Sequence, residues 1–320
     1  MKKLLYWIIT LYLILISCNN FDNNSYNNTI NKQKQTGNTD NQKNELPEFS
    51  FGLTADIQYC KNKSWKTRYY TKSLYKLNKC IKKFNSKNLA FIVDLGDIID
   101  RNYNSFKPVL SVYNKSKAPV FHVLGNHEYE IDNKMKKDIN KLLEINNKGY
   151  YDFSNGSWRF IVLNGNEISL YANEKNSSKY RRAEYYINKL KKNNTPNGMK
   201  WNGGLSGIQK IWLDKTLKKA YQSKEKVIIF CHFSLYPKDK HLLFNSDEVL
   251  KIIESYNNVV LYINGHNHEG NYCKVKNIHY LTLHGMVETP YSTAYAIADV
   301  YKDRIVINGY GREPDRILDF

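Results

Sequence analysis

Seven residues able to ligate a metal fall into five short blocks: Asp56 and Gln58, Asp97, Asn126, His232, then His266 and His268. His127 sits beside Asn126. Carboxylates, amides and imidazoles without a thiolate make a mixed oxygen and nitrogen donor set. Such a set suits Mn²⁺, Mg²⁺, Fe or Zn²⁺ in an open site, not a closed structural zinc site. Taken singly, Asp-x-Gln after a strand is an ordinary turn, and a lone histidine is an ordinary hydrogen-bonding residue. Taken together and in order, the blocks predict a dinuclear site that hydrolyses phosphate esters or anhydrides, because two adjacent cations need a shared carboxylate to mask their repulsion.

Each block follows an apolar run of β type. Phe49 to Leu53 leads to Asp56, Leu89 to Val93 to Asp97, and Pro119 to Val123 to Asn126. Lys226 to Phe230 leads to His232, and Val259 to Ile263 to His266. Strands of an open α/β sheet gather ligands beyond their carboxyl ends, so five such ends can share one crevice. Glycines at 96, 125 and 265 permit sharp turns and a close backbone approach there. Helical periodicity occupies Ser73 to Phe84, Asn133 to Glu144, Tyr180 to Lys191, Gly207 to Tyr221 and Ser246 to Ser255. Cys273 to Leu283 and Ala294 to Asn308 read as late hairpin strands. The predicted fold class is therefore α/β, or an α+β sandwich, with two packed mixed β-sheets flanked by helices in four layers.

The ordered blocks resemble the calcineurin-like metallophosphoesterase superfamily, whose first block is normally Asp-x-His where this chain has Asp56-Ile57-Gln58. Asp-x-Gln, with Arg68-Tyr69-Tyr70 soon after, is similar to one branch, the manganese-dependent ADP-ribose/CDP-alcohol diphosphatases. Further matching motifs are Asn202-Gly203-Gly204, Tyr236-Pro237, Gly285-Met286-Val287-Glu288-Thr289 and Gly311-Arg312-Glu313-Pro314-Asp315-Arg316-Ile317. The resemblance implies one metal on Asp56, Gln58, Asp97 and His268, and a second on Asp97, Asn126, His232 and His266, with Asp97 bridging. It also implies a two-metal-activated hydroxide as nucleophile, and His127 as acid or charge stabiliser at the leaving oxygen. Asp100, three residues beyond Asp97, is placed to orient the His127 ring. Gln58, a harder and weaker donor than imidazole, tilts the expectation toward Mn²⁺.

The first residues concern address. Lys2 and Lys3 precede an apolar run from Leu4 to Ile16 that is too short for a comfortable membrane span of about 20 residues. Leu15-Ile16-Ser17-Cys18 resembles a bacterial lipobox, which implies lipidation of Cys18. The expected organisation is a lipoprotein-type signal at 1–17, an Asn-rich flexible tether at 18–47 and a catalytic domain at 48–320. Ten asparagines and four sizeable apolar side chains between Asn19 and Leu46 cannot bury enough surface to fold. The chain is thus expected to be exported and anchored in the bacterial cell envelope, whereas the better-known members of the resembled family lack an export signal.

A formal net charge of +18 favours anionic partners in general. The lysines lie largely on helical patterns where solvated faces are the default, so no nucleic acid is expected. The expected partners are a small nucleotide-diphosphate substrate and, through the anchor, a membrane; composition fixes no oligomeric state. Cys60, Cys80, Cys231 and Cys273 lack the spacing of a zinc ribbon or disulfide scaffold. The polar stretch 171–202, with Tyr180, Arg181 and Arg182, reads either as a lid over substrate or as a surface helix. The leading expectation is cleavage of nucleoside diphosphate conjugates. A phosphomonoesterase or phosphodiesterase on the same scaffold is the alternative, and a non-catalytic surface-binding lipoprotein is the reading from another class.

Overall fold

A computed structural model describes residues 45–320, so the expected signal, Cys18 and nearly all of the tether lie outside the described residues. Pro47–Phe320 forms one compact unit. Its first sheet runs β14-β13-β12-β1-β2-β3, from β1 (Phe49–Thr54), β2 (Phe91–Asp94), β3 (Val120–His122), β12 (Ala294–Val300), β13 (Arg304–Gly311) and β14 (Arg316–Asp319). The second runs β10-β11-β9-β8-β5-β4, from β4 (Tyr151–Asn155), β5 (Trp158–Val162), β8 (Lys226–Phe230), β9 (Val259–Asn264), β10 (Glu269–Val275) and β11 (Ile278–His284). A two-stranded ribbon pairs β6 (Ile168–Ser169) with β7 (Gly203–Gly204).

Alternation along the strands explains the sandwich. Phe51 and Leu53 of β1, Phe91 and Val93 of β2, Phe160 and Val162 of β5, and Phe230 of β8 share one buried cluster between the sheets. The opposite face of β1 and β2 packs on helices α1 (Tyr70–Asn85) and α2 (Phe106–Tyr113) through Leu77, Ile81, Phe84, Ile92, Val109 and Val112. In α1 the buried residues Tyr70, Ser73, Leu77, Cys80, Ile81 and Phe84 recur at three and four, which gives one apolar stripe. On the other flank, α6 (Gly207–Gln222) and α7 (Ser246–Ile253) bury Leu213, Leu217, Val249 and Ile253. The four-layer expectation is met.

Two local expectations differ. The periodic stretch 133–144 breaks into α3 (Asn133–Lys136) and α4 (Ile139–Leu142). Lys134, Lys137 and Lys141 stand three and four apart, a like-charge arrangement that weakens a continuous helix. Conversely, α2 lies outside the expected helical stretches and carries Pro108. The proline occupies the first turn, where its missing N–H has no intrahelical partner to lose. The stretch 171–202 contains α5 (Ser178–Lys192), whose Ala183, Tyr186 and Ile187 pack with Ile168 and Phe244. Arg182 stacks on Tyr185 and Tyr186 of its own helix, which is the surface-helix arrangement. Among the described residues no helix is long and apolar enough to cross a membrane.

Candidate metal centre

The parallel segments β1-β2-β3 and β5-β8-β9 end at a common edge, and their outgoing loops carry the blocks. These loops are stitched together by backbone bonds. Asp56 N donates to Gly96 O at 3.1 Å, Gln58 N to Asp97 O at 2.8 Å, and Gly265 N to His232 O at 3.2 Å. Asp56, Gln58, Asp97 and His266 all have positive φ, between 42° and 68°. A left-handed backbone at four non-glycine positions costs energy and persists only where the surroundings over-determine it. The Glu128 carboxylate supplies one restraint, accepting from Asp97 N, Ile98 N and Gly125 N at 2.9, 2.7 and 2.6 Å.

Asp97 is the centre. Its Oδ2 lies 3.2 Å from His232 Nε2 and 3.2 Å from Gln58 Nε2. His232 Nε2 is 3.1 Å from His266 Nδ1, and His268 Nε2 is 3.3 Å from Asp56 Oδ1 and 3.2 Å from Gln58 Nε2. All seven predicted ligands are buried. Asp97, His232 and His266 present ligand atoms within 4.8 Å of one another. Asp56, Gln58 and His268 form the neighbouring half, joined to it through Asp97.

Each imidazole spends one nitrogen outward and turns the other inward. His232 Nδ1 donates to Leu95 O at 2.8 Å, His266 Nε2 to Asn202 Oδ1 at 2.9 Å, and His268 Nδ1 to Glu288 Oε1 at 2.7 Å. That assignment leaves inward lone pairs on His232 Nε2, His266 Nδ1 and His268 Nε2, close to two carboxylates. Inward lone pairs 3.1 Å apart repel unless a positive charge sits among them. Two buried amide oxygens, Gln58 Oε1 and Asn126 Oδ1, have no hydrogen-bond partner. The Gln58 amide presents its nitrogen to Asp97 and His268; a half-turn would place its oxygen there instead. The unpartnered oxygens, inward imidazole nitrogens and carboxylates fit divalent cations of the Mn²⁺ type.

The electrostatics agree. Burial alone would raise the Asp97 carboxyl, but His232, His127 and His266 hold it far below the usual carboxylate range. Burial would likewise lower His232, yet Asp97 and Asp56 push it up to about 9: the buried carboxylates demand positive charge at this point, a demand that a ring proton meets without a cation and a cation would meet in its place. His266 goes the other way, lowered by burial and by His232 and His241. Burial opposes ionisation of Glu288, but His268, Thr67 and Arg68 bring it down to about 2, so it remains a charged acceptor for His268 Nδ1.

His127 stands at the rim. Its backbone N donates to Asp97 Oδ1 at 2.8 Å, and its Nε2 lies 3.9 Å from Asp97 Oδ2. The expected orienting residue, Asp100, meets Nδ1 through its backbone carbonyl at 2.8 Å; its carboxylate is 3.5 Å away and is bonded to Arg101. Asn202, Glu128, Glu130 and Glu288 were not predicted as site residues. Asn202 and Glu288 lie in motifs legible only as resemblance, and Glu128 belongs to Gly-Asn-His-Glu, whereas Glu130 has no sequence signal.

A family model described as calcineurin-like phosphoesterase matches residues 49–270, and the chain belongs to that family. Among curated relatives, the manganese-dependent ADP-ribose/CDP-alcohol diphosphatase of Xenopus tropicalis is 31% identical, covering 86% of this chain and 95% of that protein. The human protein of the same name is 29% identical over 85% of this chain and 93% of its own length. Among solved structures, a dimetal phosphatase from Danio rerio superposes with a TM-score of 0.78 at 28% identity, covering 86% of this chain and 99% of that one. The fold and the site thus define a metal-dependent hydrolase of phosphate bonds.

Proposed function

We propose that this chain is a manganese-dependent diphosphatase that splits nucleoside diphosphate conjugates of the ADP-ribose or CDP-alcohol kind. The observation that carries this reading is the cluster of Asp56, Gln58, His232, His266 and His268 about Asp97, with the buried Asn126 Oδ1 unpartnered, in a chain whose relatives bear that activity in their names. Asp56, Gln58, Asp97 and His268 would hold one cation, and Asp97, Asn126, His232 and His266 the other. Cations bound there supply Lewis-acid charge to phosphate oxygens and make water a nucleophile near neutral pH.

The protein's own groups do the remainder. His127 Nε2, the ring atom that faces Asp97, delivers a proton or positive charge to the leaving oxygen. Burial opposes protonation of that ring, but Asp97, Glu130 and Asp100 raise it to about 10, which favours the protonated form. Cleaving a diphosphate expels a phosphate monoester whose second pKa is near 6, which asks less of His127 than an alkoxide would. Outward bonds from His232, His266 and His268 fix the ring orientations before substrate arrives.

The reading extends to location. Lys2, Lys3, the apolar run and Leu15-Ile16-Ser17-Cys18 support an exported lipoprotein anchored through Cys18.

The test is a substrate panel of ADP-ribose, CDP-choline, a nucleotide sugar, a cyclic nucleotide and p-nitrophenyl phosphate, each assayed with Mn²⁺, Mg²⁺ and Zn²⁺. The expected result is nucleoside monophosphate from ADP-ribose or CDP-choline, fastest with Mn²⁺ and absent in Asp97→Asn. Turnover confined to p-nitrophenyl phosphate or the cyclic nucleotide would move the assignment to a phosphomonoesterase or phosphodiesterase.

A further inference from the structure

A carboxylate lies closer to His127 Nδ1 than the Asp100 carbonyl that accepts its hydrogen bond. Glu130 Oε2 lies 2.7 Å from it, against 2.8 Å for the Asp100 carbonyl and 3.5 Å for the Asp100 carboxylate. The local cause is the 3₁₀ turn His127–Tyr129, closed by Glu130 N donating to His127 O at 3.1 Å. In a 3₁₀ turn residues three apart eclipse, so the imidazole and the Glu130 carboxylate are stacked on one side by backbone geometry. Meanwhile Asp100 Oδ2 is bonded to Arg101 and lies 3.9 Å from Cys60 Sγ, and Oδ1, at 3.5 Å from His127 Nδ1, makes no hydrogen bond. A peptide carbonyl can orient a ring, and an anion at the same nitrogen holds it more strongly because the contact is charge-assisted.

We propose that Glu130 is the positioning residue for His127, its carboxylate pairing with the ring at Nδ1 and thereby holding Nε2 toward the leaving oxygen. Asp100 contributes through its carbonyl, and its carboxylate serves to anchor Arg101. Glu130 is part-exposed while Asp100 is buried, so the anion that supports the acid sits at the mouth of the site. The proposal rests on the reading of His127 as the group that acts on the leaving oxygen.

Two measurements separate the two claims. The first uses full-length enzyme loaded with Mn²⁺ and aryl esters of AMP whose leaving phenols range from acidic to weakly acidic. Glu130→Gln is expected to lower kcat about 10-fold for the poorest leaving group and little for the best, with KM unchanged, a fraction of the 10²–10⁴-fold that general acids supply. Glu130→Asp should recover part of the loss, and Glu130→Gln should add nothing in a His127→Ala background. Equal losses across the series, or additive losses with His127→Ala, would overturn the proposal. The second is ¹⁵N–¹H NMR of the metal-free protein, with the His127 ring signals identified by their absence in His127→Ala. The Nδ1–H proton should move upfield in Glu130→Gln and stay in place in Asp100→Asn; an unmoved proton in Glu130→Gln sinks the contact itself. Wild type inactive on these esters and on ADP-ribose, with that proton still displaced, would refute the functional reading and uphold the positioning contact.

Discussion

Gly125→Ala turns the architecture of the centre into a number. A Cβ at Gly125 would lie 2.2 Å from Asp97 Oδ1 and 2.5 Å from Asp97 N. Gly125 has an ordinary backbone conformation, so alanine meets no φ penalty and the clash alone is tested. Relief to a normal contact requires the Asp97 carboxylate to retreat by about 1 Å. It cannot do so cheaply, because the Glu128 carboxylate ties Gly125 N and Asp97 N together at 2.6 and 2.9 Å. Overpacking of this kind costs about 1–3 kcal/mol of stability, and a misplacement of about 1 Å in a reacting constellation costs about 10²-fold in rate. Gly207, where a Cβ meets nothing within 4 Å, is the control. With Mn²⁺, kcat/KM for ADP-ribose should fall about 100-fold in Gly125→Ala and remain near wild type in Gly207→Ala. Isothermal titration should show weakened metal binding in the first variant only. A Gly125→Ala enzyme within about threefold of wild type, with its thermal midpoint intact, would refute the claim that Asp97 is held by close packing.

Other perturbations reach different parts of the molecule. Glu288→Gln weakens the 2.7 Å bond that orients His268 and should lower metal affinity or activity about 10- to 100-fold, read by titration calorimetry beside turnover. Lys76 is driven down to about 8, first by burial and then by Arg312 against the pull of Glu288, while its Nζ donates to Glu288 O and Thr289 O. The unfolded chain therefore holds a proton that the folded chain releases between about pH 8 and 10.5, so this group makes stability rise with pH across that window. The stability of wild type relative to Lys76→Met, from urea midpoints, should increase from pH 7.5 to pH 10; a flat difference would contradict the burial argument. Cys18→Ser should abolish incorporation of labelled palmitate in a bacterial host, and label that survives would exclude the lipoprotein reading.

The candidate ligands were legible because a strand end is a local event. An apolar run, a turn and a polar residue are contiguous in sequence, as in Val259 to His266, so the order of blocks maps onto the edge where parallel strands finish. Their outward partners were not legible. His268 finds Glu288 and His266 finds Asn202 across 20 and 64 residues of chain, through pairings that only the finished sandwich specifies. Glu130 shows the opposite failure: it is three residues from His127, yet nothing in the sequence distinguishes a 3₁₀ turn there from an extended loop. The break at Asp138 has a physical reason of the same local kind, charge repulsion, and the helix bearing Pro108, outside the expected stretches, is tolerated because the proline falls in its first turn.

The four left-handed ligand residues connect these observations. Asp56, Gln58, Asp97 and His266 each occupy a conformation that an isolated chain avoids, at a cost on the order of 1 kcal/mol or more apiece. That cost is balanced by loop-to-loop bonds such as Gln58 N to Asp97 O, Val287 N to Asp56 O and His266 N to Asp56 Oδ2. Several of those bonds come from residues beyond 280, so the C-terminal strands help to hold a centre whose ligands all precede them. Arg312 extends the same logic, donating to His268 O and Gly285 O at 3.1 Å each. The late motifs that lacked any chemistry of their own are therefore braces: the donor set belongs to five strand ends, and its rigidity belongs to the segments that return across them.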